Sequence, residues 1–317
     1  MLLDEELAQF IPEKDMLLTI GVFDGVHCGH RHLISRLVML AKQQNWLSGV
    51  VTFRQHPREV LSRSVGISLP RLTDPAQKIS LLKNEGVDAV VVLSFVPQLA
   101  KLSARQFVRL LQKYLRMRGL VVGPDFALGR KREGNIDTLR ELGQEMNFGI
   151  TIISPKKMHG EVASSTVIRQ ALVDGDIAKV DKLMGRPFTL QGRIVSGAHR
   201  GGPRLNFPTI NLDVDSNQAL PADGVYATWT YIDSKAYQSM TNIGRRPTFG
   251  DNERTIETYI LDFQGDLYGL EPRIAFIERL RDEKRFDSIE ALQKQITEDI
   301  ERGRTILTSR GESQVSR

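Results

Sequence analysis

A change of pattern near Gly185-Arg-Pro-Phe188 constrains the fold of this chain more than any other feature. Before it, short apolar runs alternate with longer stretches of helical spacing. After it, short alternating runs are broken by glycine, proline and asparagine. Leu17 to Phe23 is a brief apolar run of the kind that forms a buried parallel strand. A helix follows from about Gly29 or His30, with Leu33, Leu37, Leu40 and Ala41 on one face. Strands are predicted at Gly49 to Phe53, Ala89 to Leu93, Gly119 to Gly123 and Gly149 to Ile153, and helices at Ala76 to Asn84, Ala104 to Tyr114 and Ile136 to Met146. That rhythm implies an open Rossmann-like α/β sheet, with its ligands at the carboxyl ends of the strands.

Beyond the change, Thr189 to Ser196, Gly224 to Ile232, Tyr237 to Asn242, Thr255 to Phe263 and Glu271 to Leu280 read as closely spaced strands, the signature of a small barrel. A closing helix is marked by the capping-box spacing of Asp287 and Glu290 and by a stripe of Ile289, Leu292, Ile296 and Ile300. The polar tail after Gly303 is expected to fray. A length of 317 residues accommodates two ordinary domains, and the pattern divides them at 1–184 and 185–317.

The formal net charge of +5 is spread along the chain, so it favours anionic ligands without the basic, aromatic-interleaved face of a nucleic-acid binder. Cys28 is the one cysteine, which rules out an internal disulfide and a Cys-rich zinc site. No run is long and apolar enough to span a bilayer, and the Met1-Leu-Leu-Asp-Glu-Glu opening lacks the basic-then-apolar order of a secretory leader. The expectation is a soluble cytoplasmic protein with no nucleic-acid, membrane or obligate protein partner.

Chemistry concentrates first in Gly21-Val-Phe-Asp-Gly-Val-His-Cys-Gly-His30. Its small residues allow a tight turn and a close approach of phosphate to backbone, and the next helix presents its positive end. His27 and His30 are spaced to face one side of a helical turn and can donate to phosphate oxygens in a crowded transition state. The spacing is neither G-x-G-x-x-G nor a Walker A loop. A plain strand end with surface histidines remains open, as does a zinc site completed by His56.

The pattern Gly21-x-Phe23-Asp24-Gly25-x-His27-x-Gly29-His30 resembles the adenylyltransferase signature of the bacterial bifunctional riboflavin kinase/FMN adenylyltransferases, or FAD synthetases. Thr52-Phe-Arg-Gln-His-Pro57 is similar to that family's Thr-Phe-x-Pro-His-Pro, with Gln55 replacing proline. Leu102-Ser-Ala-x-x-Phe107, Gly123-Pro-Asp-Phe-Ala-Leu-Gly129 with Arg132, and Ser164-Ser-Thr-Val-Ile-Arg169 agree as well. The resemblance implies that His27, His30 and Arg169 act on ATP phosphates. It also implies that Gly21, Phe23, Asp24, Gly25, Gly29, Asp125, Ser164, Ser165 and Thr166 bind nucleotide or flavin. Helix capping is the alternative for the three hydroxyls, and an exposed guanidinium the alternative for Arg169. The implied reaction is attack of the FMN phosphate on the α-phosphorus of ATP, giving FAD and pyrophosphate. It calls for alignment and charge neutralisation, with magnesium held largely by phosphates.

A second constellation runs from Gly192-Arg-Ile-Val-Ser-Gly197 to Phe207-Pro-Thr-Ile-Asn211. Arginines and glycines here can surround phosphates, and Thr209 and Asn211 alternate onto one strand face. An arginine-rich turn feeding an edge strand is the alternative. The segment resembles the family's riboflavin kinase motif, with Asn206 and Ile210 replacing the usual glycine and alanine. Gly224-Val-Tyr226, Asn242-Ile-Gly-x-x-Pro-Thr248, Glu257 and Asp262-Phe-x-Gly-Asp-Leu-Tyr-Gly269 follow in family order, with Tyr259 where histidine is common. By that resemblance Glu257 is the general base for the riboflavin 5′-hydroxyl, Thr209 and Asn211 hold magnesium and phosphate, and Arg193, Gly197 and Arg204 bind ATP. Segment 279–285 is read either as a flavin lid or as a charged turn. The implied architecture joins a His-x-Gly-His nucleotidyltransferase domain to a six-stranded kinase barrel with a terminal helix. Two alternatives stay open: an adenylyltransferase whose altered 200–206 loop weakens the kinase, and a flavin- or nucleotide-binding regulatory protein without turnover.

Overall fold

The computed structural model describes residues 2–61, 69–158, 160–195, 207–233, 235–245, 254–263, 265, 267 and 269–311. They form two compact units, Met1–Ser165 and Thr166–Arg317.

In the first unit, in chain order, lie α1 (Leu2–Ala8), β1 (Met16–Ile20), α2 (Cys28–Gln43), β2 (Leu47–Phe53), α3 (Pro57–Leu61), α4 (Pro75–Asn84), β3 (Ala89–Leu93), α5 (Pro97–Ala100), α6 (Ala104–Leu115), β4 (Met117–Val122), α7 (Ile136–Met146), β5 (Gly149–Ile152) and the short pair β6 (Lys157–Met158) and β7 (Glu161–Val162). The sheet order is β3-β2-β1-β4-β5, with every pairing parallel. Strand β1 is apolar throughout because both of its faces are covered. Met16, Leu18 and Ile20 join the core that holds Leu7, Phe107 and Leu139, while Leu17 joins the core that holds Ile34, Leu37 and Leu82. The chain winds from β1 to one side through β2 and β3, then returns to place β4 on the other. The order therefore reverses between β1 and β4, the position at which open α/β sheets take their ligands. The predicted strand over 17–23 ends earlier, at Ile20, because the chain turns to start α2 at Cys28.

The second unit opens with α8, which begins at Ser165, the last residue of the first unit, and runs to Val173. Then come α9 (Ile177–Met184), β8 (Phe188–Gln191), β9 (Arg193–Val195), β10 (Thr209–Asp213), β11 (Gly224–Ile232), β12 (Lys235–Arg245), β13 (Arg254–Ile260), β14 (Arg273–Arg281) and α10 (Ile289–Arg310). The sheet is antiparallel in the order β8-β14-β11-β12-β13-β10-β9. It has seven strands rather than six, because the predicted strand over 189–196 breaks at Gly192 into the two edge strands. Gly192 alone joins those two edge strands in sequence, and the sheet is curled. Gly192 is required there, since a Cβ would lie 2.8 Å from the Asp213 carbonyl carbon and 2.9 Å from a Val214 methyl. The inner face buries a hydrogen-bonded chain of hydroxyls, Thr230–Ser239–Thr228–Thr241–Thr258.

Helix α10 packs against the opposite face, over Ala227, Trp229 and Met240. Its N-cap is Ser288, whose hydroxyl accepts from the Ala291 N–H, in place of the predicted Asp287. Ile289 is 47% exposed and lies outside the buried stripe. The expected fraying after Gly303 is also corrected. The helix continues to Arg310 because Leu307 is fully buried in the core beneath it.

Candidate active sites

The first site forms where β1 passes into α2. Gly21 extends the β1–β2 pairing by donating to the Val51 carbonyl at 3.0 Å. The chain then folds through Phe23, Gly25 and Val26 at φ of 51°, 82° and 36°. Glycine suits the second of these, while a β-branched residue at the third is a strained backbone of the sort that costs about 1–3 kcal/mol and clusters at functional sites. Several contacts hold the turn. The buried Asp24 carboxylate accepts from the Leu72 N–H at 2.9 Å and the Thr73 N–H at 3.3 Å. The Thr73 hydroxyl accepts from the Gly25 N–H at 3.2 Å, and the Ser165 hydroxyl donates to the Asp24 carbonyl at 2.9 Å.

His27 is the N-cap of α2, and its Nδ1 accepts from the His30 N–H at 3.4 Å. A neutral imidazole that accepts at Nδ1 carries its proton on Nε2, where it can be donated onward. The His27 and His30 rings stack with centroids 3.7 Å apart, and Phe23 meets His30 edge-on at 5.1 Å. A cavity of about 20 Å³ is lined by Asp24, Arg54, His56, Arg71, Thr73 and Lys78. Burial pushes the Lys78 ammonium below its ordinary value; the Asp24 carboxylate opposes that shift and the Arg71 cation adds to it.

The structure thus brings Gly21, Phe23, Asp24, Gly25, His27, Gly29, His30 and Ser165 into one turn and its support. Asp125 is exposed on a separate turn after β4, where its carbonyl accepts from Arg132 at 2.9 Å. Ser164 and Arg169 are half-buried and Thr166 is exposed; the last two lie on α8. Thr73 and Lys78 had no place in the sequence reading. One signal was present: Lys78 shares the buried face of α4 with Leu82, four residues on, where a lysine is out of pattern.

The second site lies on β10, β12 and β13. Pairing sets Asn211 directly opposite Glu257 and Thr209 opposite Tyr259 on one side, and Asn242 opposite Glu257 on the other. Opposite residues in an antiparallel pair share a face with Cβ atoms about 4.5–5.5 Å apart, so Glu257 stands between two carboxamides with the Thr209 hydroxyl near by. Glu257 is half-buried, whereas its neighbours Ile256 and Thr258 are buried on the other face. Phe207 packs edge-on against Tyr259 at 5.4 Å. On the other face of β13 from Glu257, a cavity of about 180 Å³ is lined by Ile194, Thr209, Ile210, Thr258, Ile260 and Leu267. Hard oxygen donors on Thr209 and Asn211 fit a magnesium ion that keeps most of its ligands from phosphate and water.

Arg193 is exposed on β9 opposite Asp213. Gly197, Arg204 and the 200–206 loop lie outside the described residues, as do Pro247 and Thr248. Within segment 279–285, Arg281 is nearly buried against Asp299 of α10, its Nε and Nη2 lying 2.9 Å and 2.8 Å from Oδ2, and Arg279 donates to the Asp223 carbonyl at 2.6 Å. Those two arginines belong to β14 and its packing, and residues 282–285 follow it without regular secondary structure. Among the described residues no cluster of three His, Cys, Asp or Glu could hold a metal, and no helix is long and apolar enough to cross a membrane.

Comparison with known proteins agrees with this division. The family model for FAD synthetase matches residues 11–167, and the model for riboflavin kinase matches residues 184–307. The bifunctional riboflavin kinase/FMN adenylyltransferase of Escherichia coli strain K12 is 37% identical over 290 residues, 91% of each chain. The Pseudomonas fluorescens protein of that name is 36% identical over 295 residues, 92% of this chain and 93% of its own. A crystal structure described as a macrolide-efflux protein from Streptococcus pneumoniae superposes with a TM-score of 0.84 at 30% identity, covering 94% of this chain and 96% of that one. With both models matched in order and more than a third of its residues shared along nearly its whole length, the chain belongs to the bifunctional riboflavin kinase/FMN adenylyltransferase family.

Proposed function

We propose that this chain makes FAD from riboflavin in two ATP-dependent steps at the two sites described, phosphorylation at the second and adenylylation at the first. The observation that carries the reading is the placement of Glu257 opposite Asn211, on the face that also bears Thr209. A kinase acting on a neutral hydroxyl needs a base beside its phosphate-binding groups, and this is such an arrangement.

In the kinase step Glu257 accepts the proton of the riboflavin 5′-hydroxyl as that oxygen attacks the γ-phosphorus of ATP. ADP leaves and FMN forms. Thr209 and Asn211 would hold the magnesium that accompanies ATP, and that ion would offset charge on the transferring phosphoryl group. Arg193, Gly197 and Arg204 belong to the ATP-binding set by family resemblance.

In the adenylyl step the acceptor is already an anion, so no base is called for. The FMN phosphate attacks the α-phosphorus of ATP and pyrophosphate leaves. His27 donates from Nε2, His30 supports it across the stack, and the turn holds both at the end of β1. Gly21, Phe23, Asp24, Gly25, Gly29 and Ser165 shape and hold that turn. Asp125, Ser164, Thr166 and Arg169 complete the nucleotide- and flavin-binding set by resemblance. The working boundary between the activities is 184/185, supported by the riboflavin kinase match beginning at 184. ATP and flavins are the only partners the reading requires.

The test is to incubate purified protein with riboflavin, ATP and magnesium, and to separate FMN from FAD by chromatography. FMN followed by FAD is the expected result. FAD from supplied FMN, with nothing made from riboflavin, would remove the kinase half of the proposal. Tight flavin binding with no product from either flavin would favour a regulatory binding protein.

A further inference from the structure

Lys78 is only 6% exposed, and neither reaction described above uses it. Its ammonium donates to the Phe53 carbonyl at 2.7 Å and to the Val22 carbonyl at 3.3 Å. Phe53 is the last residue of β2, and Val22 lies two residues beyond β1. These strands are parallel neighbours, so one side chain from α4 grips the carboxyl ends of both. Each carbonyl is the point from which a loop departs. One loop carries Asp24, His27 and His30; the other carries Arg54 and His56. The Thr52 hydroxyl also donates to the Val22 carbonyl, at 3.0 Å, so the start of the histidine loop is held from two directions.

An ammonium is an expensive way to fill a buried position, since an apolar side chain of similar volume avoids the desolvation cost. What lysine adds is a compact group with three donors, able to reach two carbonyls on adjacent strands at once. The two accepting carbonyls and the Asp24 carboxylate work against the burial and the Arg71 charge that disfavour the ammonium there.

We propose that Lys78 is a positioning residue for adenylyl transfer. It clasps the carboxyl ends of β1 and β2 so that the histidine loop and the Arg54–Pro57 loop leave the sheet at a fixed separation. The inference rests on the reading of His27 and His30 as the groups that handle the ATP phosphates. Misplacing reacting groups by about 1 Å costs up to about a hundredfold in rate while leaving much ground-state binding intact. The effect should therefore fall on kcat more than on KM.

The experiment compares Lys78→Met, Lys78→Gln, Lys78→Arg and His30→Ala in the full chain. It measures kcat and KM for FAD formation from FMN, with riboflavin phosphorylation by the same preparations as an internal control. For Lys78→Met the expected result is a kcat for FAD formation lower by about tenfold or more, with KM for FMN and ATP within about threefold. Riboflavin phosphorylation stays unchanged. Lys78→Arg, which can still donate to both carbonyls, restores most of the loss. A wild-type kcat in Lys78→Met, with FAD formation by His30→Ala down about a hundredfold, overturns the clasp and leaves the histidine reading standing. A fully active His30→Ala overturns the histidine reading itself. Should Lys78→Met unfold the first unit, Lys78→Gln carries the same comparison. If both unfold it, Lys78 holds the fold rather than the loops, and the proposal fails.

Discussion

Asn211 and Glu257 face one another across the β10–β13 pair, and Asn242 faces Glu257 from β12. Strand register thus sets the Glu257 carboxylate between two carboxamides, on the face that also bears Thr209. Glu257→Gln keeps the shape and removes the base. Riboflavin phosphorylation should fall by about 10²–10⁴-fold, while adenylylation of supplied FMN continues at its normal rate. Chromatography of the two products reads both effects at once, and equal loss of both activities would argue against a base confined to the kinase step.

The stacked histidines predict the reciprocal phenotype. His30→Ala removes the ring that lies 3.7 Å from His27. FAD formation from FMN should drop by about 10²-fold, the scale set by losing one preorganised donor. Riboflavin phosphorylation by the same protein should persist, and FMN should accumulate. A pyrophosphate-release assay started with FMN is the direct measurement.

Leu307 tests the course of the final helix. It is completely buried against the sheet, four residues beyond the point where the polar tail was expected to fray. Leu307→Ala should destabilise the second unit by about 2–5 kcal/mol, read as a lower midpoint of denaturant unfolding. An unchanged midpoint would mean that the helix does not pack there in solution.

Asp181 gives a pH dependence of known sign. Burial raises its carboxyl above the ordinary 3.8, and the Arg310 cation only partly offsets that. A raised folded-state value favours the protonated form, so its contribution is complete below 3.8 and is lost as pH rises through the folded value. Asp181→Asn should flatten the stability profile in the window just above 3.8 and leave the unit no less stable at neutral pH. Thermal unfolding across mildly acidic buffers measures it; an unchanged slope would show that Asp181 does not titrate in that window.

Much of this molecule is written in local sequence. The apolar runs of β1 to β5, the turn glycines around Asp24, the His27–His30 spacing and the alternation of Thr209 with Asn211 are all decided within a few residues. Strand period, turn chemistry and helix capping act over that range, so these features can be read without knowing the fold. What acts on them comes from farther away. Leu72 and Thr73 hold Asp24 from 48 and 49 positions downstream. Lys78 reaches back 25 positions to Phe53 and 56 to Val22. Glu257 acquires Asn211 and Asn242 through strand register. A register shift of one residue would turn Glu257 to the opposite face without altering any local pattern. The sequence alone therefore determined which elements form and where their turns fall. Only the tertiary structure decided which of them meet, because long-range pairing is selected by how whole faces pack, and that information resides in no single segment.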